Sequence, residues 1–206
     1  MNSYTLPFLS ALVLYIVGIL LSIRRLGRMN RSIRIRSGLF SVLCLALLFF
    51  ADRLTKVYAD RFFSFTNTET VIPGVIGYTY TVNSGAAWGI LSRATWLLSL
   101  VSWVVVFICL YFLLFRPLHS PWLHMALILV TAGGLGNLYD RVMLGGVTDF
   151  LVFLFMRFPV FNLADSCITT GAGIAVIKMV LSPKDEPILL ELTNKANGGA
   201  QEDAAK

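Results

Sequence analysis

Five stretches of the chain are apolar over roughly Tyr4–Ile23, Gly38–Tyr58, Ala94–Phe115, Trp122–Tyr139 and Val160–Leu181. A helix that crosses the hydrocarbon core needs about 20 such residues, so each stretch predicts a spanning helix. The second carries Asp52, Arg53 and Lys56 in its last third, charges that read as the point where the helix leaves the bilayer. The first is expected to be retained rather than cleaved, because it lacks a basic leader and its arginines follow it instead of preceding it. Between the second and third stretches, Tyr58–Arg93 alternates weakly through VIPGVIGYTYTVN, with Pro73, Gly74 and Gly77 as punctuation. That pattern predicts short strands, over about 59–93, too few to form a core of their own and expected to lie against the bilayer face. NSGAAWG at Asn83–Gly89 reads on its own residues as a tight turn. The last residues, Thr193–Lys206, are small and polar, and predict disorder.

Composition agrees with this class. At 57% hydrophobic and 14% charged residues, with a mean hydropathy of +0.76, the chain has too little polar surface to coat a soluble globule. The expected fold is an all-α polytopic membrane protein, a helical bundle of four core spans plus one extra N-terminal span, with a small extracytoplasmic β element. Short cytoplasmic loops collect Lys and Arg, and Arg24, Arg25, Arg28, Arg31, Arg34 and Arg36 crowd one connection. Placing that connection in the cytoplasm puts the β element, the Arg141–Pro159 connection and the acidic residues near them outside. The net charge of +6 then needs no nucleic-acid partner, since anionic lipid headgroups account for an arginine-rich juxtamembrane loop. Cys44, Cys109 and Cys167 fall within apolar helices at spacings that match no metal site or redox pair, and are expected to pack. His119 and His124 flank the start of the fourth span, far from the acids.

The candidate chemistry lies in those acids. From Thr70 to Lys184 the chain has three carboxylates, Asp140, Asp149 and Asp165, each beside a spanning segment. Acids retained at membrane depth face a bundle interior or a wet cavity and mark function by default. Asn137, Asp140 and Arg141 share a helical face at i, i+3, i+4, which allows Asp140 to pair with Arg141 or its neighbours and reads as structural. Asp149 has apolar flanks after a Gly145–Gly146 turn, and Asp165 opens the fifth helix with Asn162 at i−3 and Thr169 at i+4. Two such acids brought together share one proton. An ionised member can take a proton from water while its protonated partner donates to a carbonyl oxygen, which is a route to peptide hydrolysis.

In order and spacing, DRLTK at Asp52–Lys56, NSGAAWG, GNLYDR ending at Arg141, VTDF at Val147–Phe150 and FNLADS at Phe161–Ser166 resemble the bacterial lipoprotein signal peptidases, signal peptidase II. The resemblance spans about 38 to 182. It implies a membrane aspartyl endopeptidase that removes the signal peptide from prolipoproteins, before a cysteine already carrying diacylglycerol. It implies Asp149 and Asp165 as the catalytic pair, with Asn83, Asn137, Arg141 and Asn162 lining the site and Asp140, Asp52 and Lys56 in support. No metal or organic cofactor is implied, and the expected partners are lipidated precursors and membrane lipids, with the enzyme a monomer in the bacterial inner membrane and its site on the extracytoplasmic face. The expected domains are 1–37, an extra helix and arginine loop; 38–182, the peptidase core; and 183–206, a cytoplasmic tail. Two features depart from the family: Arg53 stands where Gln is usual, and the first helix is additional.

A proton channel or small transporter is the rival reading for intramembrane acids. It predicts acids near the midplane and a repeat between halves of the chain. The acids here cluster at one edge and no internal repeat is evident, so the peptidase reading is preferred.

Overall fold

The computed structural model describes residues 31–63, 67–85, 95–115 and 120–181. In chain order they form α1 (Arg31–Phe62), β1 (Glu69–Ile72), β2 (Ile76–Asn83), α2 (Thr95–Phe115), α3 (Pro121–Leu144), β3 (Val147–Phe153) and α4 (Leu163–Leu181). All four helices are long and apolar enough to cross a membrane. The protein is a multi-pass membrane protein built on a four-helix bundle with a small sheet. The expected Tyr4–Ile23 span, Arg24, Arg25, Arg28, His119 and the tail lie outside the described residues, as does most of NSGAAWG.

Helix α3 is the centre of the bundle. Half of its apolar window is buried, against 17% in each of the other three helices, which turn most of their surface toward lipid. Small residues make that position possible. A side chain at Gly136 would meet Asp52 Oδ2 at 2.5 Å, one at Gly171 would meet the Ala126 carbonyl oxygen at 2.7 Å, and one at Gly133 would run into the Ala164 carbonyl. Close helix approach through small residues replaces the hydrophobic drive that lipid removes. Leu45, Leu113, Ile128 and Ala132 fill the apolar layer below the polar end of the bundle. At the start of α3, Ser120 caps the helix by accepting from Leu123 N, and buried Ser41 of α1 lies 3.0 Å from His124 Nε2, tying α1 to α3.

The helix ends differ from the sequence expectation in four places. Helix α1 begins at Arg31 rather than Gly38, so Arg31, Arg34 and Arg36 sit on helix and not in a loop. Arginine is a good helix former, and 32 residues make a rod of about 48 Å, well over the ~30 Å hydrocarbon thickness. Asp52, Arg53 and Lys56 do not end the helix: α1 continues to Phe62, and Asp52 and Lys56 turn into the bundle, 2% and 1% exposed. Helix α3 runs on to Leu144 and stops at Gly145, whose φ of 79° is the left-handed cap that ends a helix cheaply only at glycine. Helix α4 starts at Leu163 rather than Val160, because Asn162 Oδ1 accepts from Asp165 N and caps it.

The sheet is antiparallel in the order β1-β2-β3. The expectation of short strands after Tyr58 holds for β1 and β2, whereas β3 was expected only as a connection. Its first four residues are buried in succession, without the alternation that betrays a half-buried strand. One side of β3 packs Phe150 on Ala59 and Tyr80, while the other faces the cavity described below. Register pairs Thr81 with Asp149 and Asn83 with Val147, and a bridge from Leu151 to Phe161 returns the chain to α4. The sheet therefore fastens the C-terminal end of α3 to the N-terminal end of α4.

Candidate active site

Three elements deliver the two aspartates and their partners to one end of the bundle. Asp149 comes from β3, Asp165 from the first turn of α4, and Asn137 from the buried face of α3. Asn162, fully buried at the α4 cap, joins them: its Nδ2 donates to Asp149 Oδ1 at 2.7 Å, to Asn137 Oδ1 at 3.1 Å and to the Thr148 carbonyl at 3.2 Å. Its backbone N–H donates to Asp165 Oδ2 at 3.2 Å. Asn137 Nδ2 donates to Asp165 Oδ1 at 2.6 Å, and Asn83 Nδ2 of β2 donates to Asp149 Oδ2 at 3.2 Å. Every carboxylate oxygen of the pair thus accepts at least one N–H, which fixes both side chains.

The pair opens on a cavity of about 410 Å³. Its polar edge is formed by Asn83, Arg141, Asp149 and Asp165, and its apolar wall by Val147, Phe153, Phe158 and Val160. Asp149 is 3% exposed, and its carboxyl is pushed up to about 7, first by burial and second by the neighbouring Asp165, against the opposing pull of the Asn83 and Asn162 donors and the Lys56 charge. An acid so perturbed beside a second acid in a cleft is the arrangement of a proton-sharing pair.

Behind the pair sits a second, fully enclosed cluster. Lys56 Nζ forms ion pairs with Asp52 Oδ2 at 2.9 Å and Asp140 Oδ2 at 3.0 Å and donates to Asn137 Oδ1 at 3.0 Å. That fixes the amide of Asn137: its oxygen faces Lys56, and its NH₂ can only face Asp165. Asp140 also pairs with Arg53 through Oδ1 and accepts from Thr148 N at 3.2 Å through Oδ2. Asp52 Oδ1 accepts from Ala164 N at 3.0 Å, satisfying a donor in the first turn of α4.

The expected partner of Asp140, Arg141, is not used. Asp140 turns inward to α1 while the next residue turns about 100° away, leaving Arg141 at the cavity with its buried Nε unpartnered among the described residues. Sequence reasoning missed the role of Arg53, which the structure sets between Asp140 and the face of Tyr139, 4.6 Å from the ring centre. The signal was present as an extra cation one position after a buried acid, but local charge gives no hint of a partner 87 residues away. Cys109 and Cys167 are buried and free, and Cys44 is half-buried and free.

Comparison with known proteins agrees with the motif reading. The profile of the family described as "Signal peptidase (SPase) II" matches residues 44–181. The chain belongs to the signal peptidase II family. Among its relatives, the "Lipoprotein signal peptidase" of Streptococcus pyogenes serotype M2 is 36% identical over 136 residues, covering 66% of this chain and 90% of that protein. The protein of the same name from serotype M5 is 35% identical over the same length. Two solved chains, both titled as a bacterial membrane enzyme structure obtained by the in meso method, are 30% identical, with TM-scores of 0.65 and 0.63. They match 70% and 69% of this chain and 90% and 94% of their own length. As a signal peptidase II, the chain is a membrane peptidase, and every residue of the two clusters falls within the matched range of 44–181.

Proposed function

We propose that this peptidase is an aspartyl endopeptidase that removes the signal peptide from diacylglyceryl-modified prolipoproteins, cutting before the lipidated cysteine. The observation that carries the reading is Asn162, which holds Asp149 and Asp165 through separate donors at the mouth of one cavity. In this reading one aspartate of the pair, ionised, is the general base that draws a proton from a water between Asp149 and Asp165. Its protonated partner donates to the scissile carbonyl oxygen as the tetrahedral intermediate forms. Arg141, Asn83 and Asn162 hold the substrate backbone, and Asp52, Lys56 and Asp140 support the site from behind.

The enzyme acts as a monomer in the bacterial inner membrane, with the β element and the acids on the extracytoplasmic side. A precursor docks there with its acyl chains still in lipid, where burial is worth about 0.8 kcal/mol per methylene. The lipid therefore dominates recognition, and no nucleic acid, metal or organic cofactor takes part. The test is a gel-shift assay of purified enzyme with a diacylglyceryl-modified precursor beside its unlipidated form. Cleavage is expected of the lipidated form alone, and Asp149→Asn and Asp165→Asn are each expected to abolish it while remaining folded. Near-normal cleavage by either variant would falsify the pair assignment.

A further inference from the structure

The cluster behind the acids holds two buried carboxylates, Asp52 and Asp140, and a single buried ammonium, Lys56. One cation cannot neutralise two anions in a medium that penalises uncompensated charge. Arg53 supplies the second. Its guanidinium pairs with Asp140 Oδ1 and lies over the Tyr139 ring, 4.6 Å from its centre. With its side chain 19% exposed, it closes the cluster from the outside.

The charge around the acids then follows from the packed elements. Helix α1 contributes Asp52, Arg53 and Lys56, α3 contributes Asp140 and Arg141, β3 contributes Asp149 and α4 contributes Asp165. Strand β2 contributes Tyr80, whose phenol is pushed up to about 12 by burial and by Asp60, and so stays neutral. Helix α2 contributes no charged side chain, since Thr95–Phe115 contains none. When Asp149 and Asp165 share one proton, and with Asp60 set apart as an exposed α1 carboxylate held on Tyr80, three anions face three cations. Neutrality of the whole site coincides with the protonation state that the proposed reaction requires.

We propose that Arg53 is a positioning residue that acts through Asp140: it balances the buried cluster behind the aspartate pair and thereby sets the pH range in which the pair holds a single proton. The coupling path is short. Asp140 Oδ2 binds Thr148 N, next to Asp149, and Lys56 binds Asn137, which binds Asp165. Arginine suits the position because its delocalised charge can pair with a carboxylate and stack on an aromatic ring at once. This proposal rests on the aspartyl reading above.

The test is the pH profile of kcat/KM for a diacylglyceryl-modified precursor, with purified enzyme in bicelles between about pH 5 and 9. Removing a cation favours protonation, so Arg53→Gln is expected to move both limbs of the bell upward by about one pH unit, the order of effect of a charge about 10 Å away in an effective dielectric near 20. Arg53→Lys keeps the charge and is expected to leave both limbs in place. Should Arg53→Gln fail to accumulate, the double variant Arg53→Gln/Asp140→Asn removes one charge of each sign and is expected to return the limbs to the wild-type positions, whatever its absolute rate. A uniform fall in rate with fixed limbs in Arg53→Gln, an equal shift in Arg53→Lys, or a shifted profile in the double variant would each overturn the proposal. Asp149→Asn separates the two readings: if it cleaves normally the aspartyl mechanism fails, whereas if it is inactive and the Arg53→Gln limbs stay fixed, only the role of Arg53 fails.

Discussion

Replacing Lys56 with methionine removes the ammonium while keeping most of the side-chain volume, so its cost measures the buried ion cluster and not a cavity. Lys56 is 1% exposed and holds Asp52, Asp140 and Asn137 at 2.9, 3.0 and 3.0 Å. Deleting one partner of a buried ion pair costs about 3–5 kcal/mol, because the remaining charge keeps its desolvation penalty and loses its compensation. Arg53 still reaches Asp140, so the orphaned anion is Asp52, and the expected loss is one such penalty of about 3–5 kcal/mol rather than two. Exposed pairs give only about 0–1 kcal/mol, and Glu69→Ala, which removes the acceptor of the exposed Tyr78–Glu69 hydrogen bond on the sheet, is the surface control. The assay is reversible unfolding in mixed micelles, followed by far-UV circular dichroism as the denaturing detergent fraction rises. A loss under about 1 kcal/mol for Lys56→Met, equal to the control, would refute the claim that this cluster is a dry, fully compensated unit. Cleavage should fall as well, since without Lys56 the Asn137 oxygen keeps only the Asn162 donor to orient its amide.

The remaining expectations concern the pair and its packing. Asp149 prefers its proton in the folded state, from an ordinary 3.8 up to about 7, so ionising it costs stability that is intact below pH 4 and lost as pH rises through 7. Asp149→Asn should therefore match wild type near pH 4 and exceed it above pH 7, by up to about 4 kcal/mol from three pKa units; equal stability at pH 8 would contradict the burial argument. The same titration sets the alkaline limb of the activity profile: cleavage is expected to decline above about pH 7, as the pair loses its last proton, and a rate still rising at pH 9 would exclude a proton-sharing pair. Asn162→Ala removes a helix cap and the donors to Asp149 and Asn137. Stability is expected to fall by about 1–2 kcal/mol, with kcat reduced far more than KM. Gly136→Ala puts a methyl 2.5 Å from Asp52 Oδ2, and overpacking of about 1–3 kcal/mol is expected in the same unfolding assay.

What could be read from the chain was set by how local each signal is. The four described spans were legible, because twenty consecutive apolar residues are a physical requirement that few other structures share. The boundaries were less so. That Asp52 and Lys56 turn into the bundle could not be read locally, because they pair with each other along α1 while the groups that complete their burial, Asp140, Asn137 and Ala164 N, stand on other helices. Strand β3 escaped for the related reason that burial on both sides erases the alternation by which strands are recognised. Within the site, Asp149, Asp165 and Asn162 were visible as polar residues set in apolar surroundings, and the motif order grouped them. The pairing of Asp140 was misjudged because helical spacing ranks Arg141 as a neighbour on the surface, whereas the inward turn of Asp140 presents it to Arg53 and Lys56.

The two polar clusters are best understood as one device with two functions. An enzyme that works at a membrane edge must keep carboxylates dry enough to trap a proton, yet every dry carboxylate threatens the fold. The outer pair meets the first need: Asp149 is 3% exposed and receives neutral amide donors, which orient a carboxyl without discharging it. The inner cluster meets the second: Asp52 and Asp140 are given full cations and bind backbone N–H groups of α4 and β3. Asn137 joins the two, taking Lys56 on its oxygen and giving its NH₂ to Asp165. An amide at that position transmits orientation but not a proton, since neither of its polar atoms titrates. Aspartate in its place would add a fifth carboxylate and link Lys56 directly to the reacting pair by charge. Asn137→Asp is therefore expected to lose stability, because Lys56 and Arg53 already balance Asp52 and Asp140, and to lose cleavage, because Asp165 would face a second anion where it had a donor. Retained activity in a folded Asn137→Asp enzyme would show that the separation of the two clusters is not what the chemistry depends on.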